Sequence, residues 1–305
     1  MGRGVVAGQP KLHAGGFRLR RLEKPEEFRN AEEVERQALG EDQALAVPAP
    51  LLRTFRDNGG LVLGAFADIY LAGVAVSSIG WDGSTLYHYS HLTVVRPEYQ
   101  AHRLGVQLKS CQRDEVLGLG LSEIRWAFDP LSRRAARLAI HRLGARPDRY
   151  LANYYGRLSE DPSADPETDR LHVRWELTDP EVERRLSLPA PPAEEALRSW
   201  QGRSALVETE AGDSGLRLPQ AVVEPDGGPA QLEIPFDITS VRQHEPSSAR
   251  RWRHALRDAF RLVFDLGYVV EDFVVLSVEH ERRSFYLLAR GEGAGPSAVG
   301  SSSRA

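Results

Sequence analysis

The chain has 305 residues, enough for one large domain or two ordinary ones, and a 41% hydrophobic fraction with interspersed charge suits a soluble globular protein. A net charge of −4 and a pI near 6.2 supply no basic field for nucleic acid, and no apolar run reaches the roughly 18–20 residues that cross a bilayer. The single Cys111 excludes an internal disulfide and a cysteine-based metal cluster, and Met1–Gly8 lacks the apolar core of a secretion signal, so a cytoplasmic protein is expected. Only Lys11, Lys24 and Lys109 are lysines; nearly all the positive charge is arginine.

Residues 1–15 and 291–305 are rich in Gly, Ala and Ser and read as disordered ends. Phe17–Leu22 alternates like a strand, and Pro25–Leu39 follows as a helix with proline at its start and acidic residues in its first turn. A second helix is expected over 48–57, closed by Asn58-Gly-Gly60. Leu61–Phe66 and Tyr70–Ile79 then form a hairpin around Ala67-Asp68. Tyr87–Val95 is rich in β-branched and aromatic residues and stops at Arg96-Pro97. A helix over about 104–119 places Leu104, Leu108, Cys111 and Leu119 inside, with Lys109, Arg113 and Asp114 outside. Glu123–Phe128 is the next strand, and a strand–helix–strand unit with so short a crossover is parallel and right-handed. A helix over 132–143 buries Ala136, Ala139, Ile140 and Leu143; strands are expected at Tyr150–Tyr155 and Leu171–Leu177, with Ser159–Asp169 a loop between them.

Beyond residue 179 the texture changes. Pro189–Pro192 reads as a linker, a strong amphipathic helix runs over about 247–266, and strands at Val269–Val278 and Ser284–Ala289 finish the ordered chain. The helix is basic, but Trp252, Leu256, Ala259, Phe260 and Val263 share one face, which favours packing on its own sheet over nucleic-acid or membrane binding.

The loop between the strand at 87–95 and its helix presents backbone N–H groups at a positive helix end, a ready phosphate site. Its sequence, Val94-Val-Arg-Pro-Glu-Tyr-Gln100-Ala-His-Arg-Leu-Gly105, resembles motif A of the GNAT superfamily of acyl-CoA N-acyltransferases. That family's loop is Arg or Gln, two variable residues, Gly, one variable residue, then Gly or Ala. Gln100 and Gly105 match; Arg103 stands where the first glycine is expected and offers a charged contact to phosphate in place of close backbone approach. The order β-α-α-β-β-β-α-β-α-β-β over 16–178 is similar to the whole GNAT fold, and Arg142-Leu-Gly144-Ala145 is similar to the end of the family's later motif. Trp126–Leu131, Asn153–Gly156 and Val173–Leu177 carry a narrower likeness to a bacterial group of long GNAT proteins. The resemblance implies an α/β (α+β) chain: a GNAT-like mixed central sheet flanked by helices at 16–178, with a smaller α+β extension at 179–290 acting as a lid or dimer contact.

Acyl transfer from a thioester to an amine needs a polarised carbonyl, a neutral amine and a protonated leaving thiolate. By resemblance, backbone amides beside Leu92, Thr93 and Val94 hold the acyl carbonyl and pantetheine. Those of Gln100, Ala101, His102, Arg103, Leu104, Gly105 and Val106 hold the pyrophosphate of acetyl-CoA. The helix tyrosine that serves many members as acid is Ile140 here, and His141 beside it reads as a surface residue. Tyr154 and Tyr155 are left to supply a hydroxyl. The strand before the motif offers Tyr87, His88, Tyr89, Ser90 and His91; His88 and His91 point to opposite faces, and His91 is the nearer to the acyl site. Asp129 is a second candidate base, or else a helix N-cap. Arg125 either grips an acceptor carboxylate, with Tyr89 beside the acceptor, or is a salt-bridged surface arginine. No metal-ligand spacing is present. The expected activity is transfer of an acetyl group from acetyl-CoA to a small-molecule primary amine by direct attack. The alternatives are a succinyl-CoA or other acyl-CoA dependent amino-acid N-acyltransferase and a non-catalytic acyl-CoA binding protein.

Overall fold

The computed structural model describes residues 11–12, 16–158, 167–187, 193–212, 216–278 and 280–291. In chain order the elements are β1 (Lys11–Leu12), β2 (Phe17–Arg21), α1 (Pro25–Leu39), α2 (Ala49–Asp57), β3 (Leu61–Ala67), β4 (Tyr70–Trp81), β5 (Leu86–Val95), α3 (Leu104–Gly118), β6 (Glu123–Phe128), α4 (Arg133–Ala136), β7 (Arg146–Leu151) and β8 (Arg170–Glu176). There follow α5 (Pro180–Ser187), α6 (Ala193–Trp200), β9 (Ser204–Ala205), β10 (Val207–Ala211), β11 (Arg217–Val222), β12 (Ala230–Ile234), α7 (Ile238–His244), α8 (Pro246–Asp265), β13 (Tyr268–Val278) and β14 (Glu281–Arg290). Contacts divide the described chain into two compact units, one reaching Trp126 and taking in Arg174–Leu186, the other holding Ala127–Val173 and the residues from Ser187 onward. The division runs through β6 and β8.

The large sheet has the order β1-β2-β3-β4-β5-β6-β8-β7. From β1 to β5 neighbours are antiparallel, and β5 with β6 is the parallel pair that the α3 crossover requires. In the first unit, α1 and α2 cover one face, where Phe28, Ala31, Val34 and Leu52 pack on Val62, Val74, Val76 and Val94. Each such valine, leucine or phenylalanine side chain contributes about 1.5–3 kcal/mol by leaving water. Two carboxylates of α1 hold the entry to α2: Glu32 accepts from Ala49 N at 2.8 Å and Glu35 from Val47 N at 2.6 Å. Glu35 is fully buried, and burial pushes its carboxyl up to about 7, the Val47 hydrogen bond opposing this only in part.

In the second unit, Trp252, Leu256, Ala259, Phe260 and Val263 are wholly buried on one face of α8. The sheet β13-β14-β12-β9 supplies Phe273 and Tyr286, whose rings meet at 4.9 Å, and Phe260 stands edge-on to Tyr286 at 5.2 Å. Its other face carries Val274, Leu276, Phe285 and Leu287, packed with Ala196 and Trp200 of α6.

Four expectations need correction. Lys11–Leu12, read as part of a disordered end, pairs antiparallel with Leu19 and Arg18; residues 1–10, 13–15 and 292–305 lie outside the described residues, as do 159–166 and the linker at 189–192. The strand placed at Tyr150–Tyr155 is β7 at Arg146–Leu151, and Ala152–Tyr155 is a turn, with Asn153 at φ 46°. Leu119, placed inside the third helix, is its exposed C-cap. Lys109, placed outside, is 3% exposed.

Candidate active site

The site in the first unit begins with a fault in the sheet. Val76 pairs with Leu92 and Ser77 with Ser90, so His91 is an extra residue, a β-bulge in β5. A bulge bends and over-twists its strand. Only His88 and Tyr89 pair with β6, opposite Ile124 and Arg125. From Ser90 to Val95 no ladder pair joins β5 to β6, although β4 remains paired through Val95. Alternate backbone N–H and C=O groups of that stretch therefore face the opening between the two strands. This is the stretch containing Leu92, Thr93 and Val94, whose amides the sequence pointed to.

The bulge also sorts side chains. Tyr89 and His91 lie on the α2 side: the His91 imidazole stacks on Phe55 at 4.8 Å, meets Tyr89 edge-on at 5.3 Å, and shares a 2.8 Å hydrogen bond between Nε2 and Ser78 Oγ. Loss of water against Phe55 holds its pKa below the ordinary value. His88 and Ser90 turn to the α3 side and are buried. His88 shares a 3.0 Å hydrogen bond with Ser77, and burial, with the nearby Arg21 charge, lowers its pKa to about 4.

The chain then leaves β5 at Arg96, whose Nε donates to Leu71 O at 2.9 Å, and makes a 3₁₀ turn over Pro97–His102. The side chain of Gln100 donates to Val95 O at 3.3 Å, and the Phe17 ring holds Tyr99 and His102 at 5.9 and 5.6 Å. Arg103 is left-handed, φ 55° and ψ 23°, and immediately precedes α3. It adopts the backbone conformation a glycine supplies without strain, at a cost of about 1–2 kcal/mol. Val106 N and Gln107 N return to Arg103 O at 3.0 and 3.3 Å, while the amides of Leu104 and Gly105 open the helix. An exposed guanidinium beside a helix N-terminus suits a pyrophosphate in charge and in donor geometry.

Lys109 was missed in the sequence. Its Nζ donates to Ser90 Oγ at 2.8 Å and to Gln112 Oε1 at 3.1 Å, and lies 4.0 Å from the centroid of the Trp126 ring. Burial alone lowers its pKa to about 7. Around it His88 Nε2, Thr93 Oγ1 and Gln112 Nε2 are buried without a hydrogen-bond partner. The apolar stripe of α3 is interrupted at Lys109-Ser-Cys-Gln112, the one sequence sign of this pocket.

Other candidates are occupied elsewhere. Arg125 is neither at the surface nor open to a ligand: it makes a two-pronged pair with Glu123 at 2.9 and 2.8 Å, reaches Asp82 at 2.8 Å and stacks 3.9 Å from the Tyr87 ring centroid. Asp82 caps its own hairpin turn through Ser84 N and Thr85 N, so Arg125 clamps the β4–β5 turn to β6. Asp129 belongs to the second unit and is bound by Arg242 at 2.8 Å and Arg253 at 3.2 Å. Burial would raise its pKa, but those two guanidiniums override burial and hold it well below the carboxylate range, which disqualifies it as a base. It does not cap α4 either; Ser132 does. Tyr154 is exposed on the turn after β7, edge-on to Tyr155 at 4.7 Å, and neither lies on a strand. His141 is half-buried against Asp272 at 3.1 Å, and Ile140 is buried. Among the described residues no His, Cys, Asp or Glu group could hold a metal ion, and no helix is long and apolar enough to cross a membrane.

The element order, the bulge and the parting of β5 from β6 together decide the architecture. It is a mixed α/β fold, a large sheet flanked by helices, as the resemblance in the sequence implies. No family model matches the sequence, and no curated protein does. Similar solved structures include the ribosomal-protein-S18-alanine N-acetyltransferase from Escherichia coli, 19% identical with a TM-score of 0.43 over 53% of this chain and 94% of that one. An acetyltransferase of the GNAT family from Streptococcus pneumoniae is 14% identical with a TM-score of 0.42 over 52% and 98%. A chain of the NatC complex bound to Gag peptide and CoA is 15% identical with a TM-score of 0.44 over 53% and 99%. These are distant likenesses of shape.

Proposed function

We propose that the chain is an acyl-CoA-dependent N-acyltransferase, most simply moving an acetyl group from acetyl-CoA to a small-molecule primary amine. The observation that carries this reading is the parting of β5 and β6 at Ser90, directly upstream of the turn and helix start at 97–105. The opening offers strand amides to a thioester and its pantetheine arm, and the amides of Leu104 and Gly105 with the Arg103 charge suit the pyrophosphate. Thioester activation is the chemistry the co-substrate brings. His91, neutral and reachable, accepts the ammonium proton of the incoming amine so that the free amine attacks directly. Cys111 is buried and takes no part.

The amino-acid-acceptor alternative loses its anchor, because Arg125 is bound to Glu123 and Asp82. A non-catalytic acyl-CoA binder is the second reading, favoured by the buried Ile140 at the place of the family's tyrosine.

Calorimetry with acetyl-CoA and coenzyme A, followed by thiol-trapped coenzyme A release across amine pools, tests both. Binding with turnover supports the enzyme, and binding without turnover the second reading. Gly105→Phe places a ring at the mouth of the helix and is expected to abolish binding; unchanged affinity refutes the loop assignment.

A further inference from the structure

Acyl transfer ends with a thiolate that needs a proton, and the residue usually credited with it is an isoleucine here. The α3 side of the β5–β6 opening holds a different proton source. Ser90 is the last residue before the bulge, where the strands part, and Lys109 Nζ donates to its hydroxyl at 2.8 Å. The second Nζ proton goes to Gln112 and the third faces the Trp126 ring, so the ammonium is fixed in orientation.

The surroundings show what this lysine lacks. From β5 it is faced by Ser90 and, two residues earlier, His88; from its own helix by Gln112; from β6 by Trp126, against which Trp175 of β8 packs edge-on. The charged groups of β6, Glu123 and Arg125, are paired on the opposite face with Asp82 and Arg174. The charges on the α3 side, Arg21 and Glu115, are bound to each other at 2.5 Å. No ion pair to Lys109 is formed among the described residues. A structural cation would be paired with a carboxylate. It would also be as well served by arginine, which supplies almost every other positive charge in the chain and does not release its proton. Among the described residues, three buried polar atoms of β5 and α3 (His88 Nε2, Thr93 Oγ1, Gln112 Nε2) have no hydrogen-bond partner, so hydrogen-bonding capacity is left unmet on this side of the strand.

We propose that Ser90 is the proton donor to the departing sulfur of the acyl donor and that Lys109 is the positioning residue that recharges it. This rests on the acyltransfer reading above. As the amine nitrogen bonds to the acyl carbon and the carbon–sulfur bond breaks, Ser90 Oγ gives its proton to sulfur and receives one from Lys109 Nζ. Lys109 ends neutral and is reprotonated from solvent; His91 passes the ammonium proton to solvent before attack and then takes the second proton that nitrogen loses as the amide forms, so that two protons leave nitrogen, one reaches sulfur and one is released overall.

Three lysines in the chain make the test direct. In full-length protein labelled at lysine, nuclear magnetic resonance should show one side chain titrating near neutrality, and that signal should vanish in Lys109→Met. Coenzyme A is then bound to wild type, Lys109→Met and Ser90→Ala, and its thiol is titrated by ultraviolet absorbance. The bound thiol should ionise at least one pH unit lower in wild type than in Lys109→Met, with Ser90→Ala between them. Equal thiol pKa values with coenzyme A bound overturn the proposal alone; absence of binding to wild type overturns the acyl-CoA reading and the proposal with it. In turnover, Lys109→Met should lose about 10²-fold or more in kcat with KM for acyl-CoA little changed, and the fall in wild-type kcat above neutral pH should disappear. Lys109→Arg, which keeps the charge but not the exchangeable proton, should fail to restore kcat. Restoration by arginine, or a loss confined to KM, refutes the relay. Ser90→Ala removes one oxygen, so it reports on the relay even where Lys109→Met folds poorly.

Discussion

Replacing Lys109 with methionine should change how stability depends on pH. The lysine is buried and forms no ion pair among the described residues, and its pKa falls from an ordinary 10.5 to about 7. A depression of that size corresponds to roughly 5 kcal/mol of penalty on the charged form. The sign follows from proton counts. Between pH 7 and 10.5 the unfolded chain keeps the proton and the native one has lost it, so stability rises with pH in this window. Below pH 7 both states are charged and the penalty is constant. Methionine fills a similar volume without charge, while Ser90 and Gln112 each lose a donor, at about 1–3 kcal/mol apiece. The net change at neutral pH is therefore small, and the difference in slope is the clean observable. Denaturant melts of both proteins from pH 6 to 9.5 should show wild type gaining about 3 kcal/mol relative to the variant. Parallel curves would mean that the ammonium is not desolvated, and the account of the α3-side pocket would be wrong.

Arg103→Gly relieves a left-handed residue at φ 55° and should raise stability by about 0.5–1 kcal/mol while weakening coenzyme A binding several-fold through the lost charge; a melt showing destabilisation contradicts the geometry. Glu35→Gln should help most in mild alkali. The carboxyl contributes stability that is complete below its ordinary 4.5 and lost as pH rises through about 7, so the variant should gain roughly 3 kcal/mol on wild type between pH 4.5 and 8. Arg125→Leu leaves Glu123 with Arg174 alone and Asp82 with its own turn, and should cost about 1–3 kcal/mol in a thermal melt, with no selective rise in KM for carboxylate-bearing acceptors; such a rise would return Arg125 to the substrate site.

Alternation, helical periodicity and turn residues were enough to read the element order from β2 to β8, because each is a local property of the chain. The same holds for the wholly buried face of α8 and for the loop that opens α3. Three things were decided only by tertiary contacts. Whether a charged side chain is free depends on partners distant in sequence: Arg125 is taken by Asp82, and Asp129 by Arg242 and Arg253, more than 40 and 110 residues away. The bulge at His91 exists only as a mismatch between two strands, so no single-strand pattern reveals where the sheet opens. Lys109 occupies a helix position that periodicity assigns to solvent, yet β5 and β6 cover it. The sequence by itself located the strand, the turn and the helix that make the candidate site. Packing decided which of their side chains remain available for chemistry, since availability is set by what the neighbouring elements bring against them.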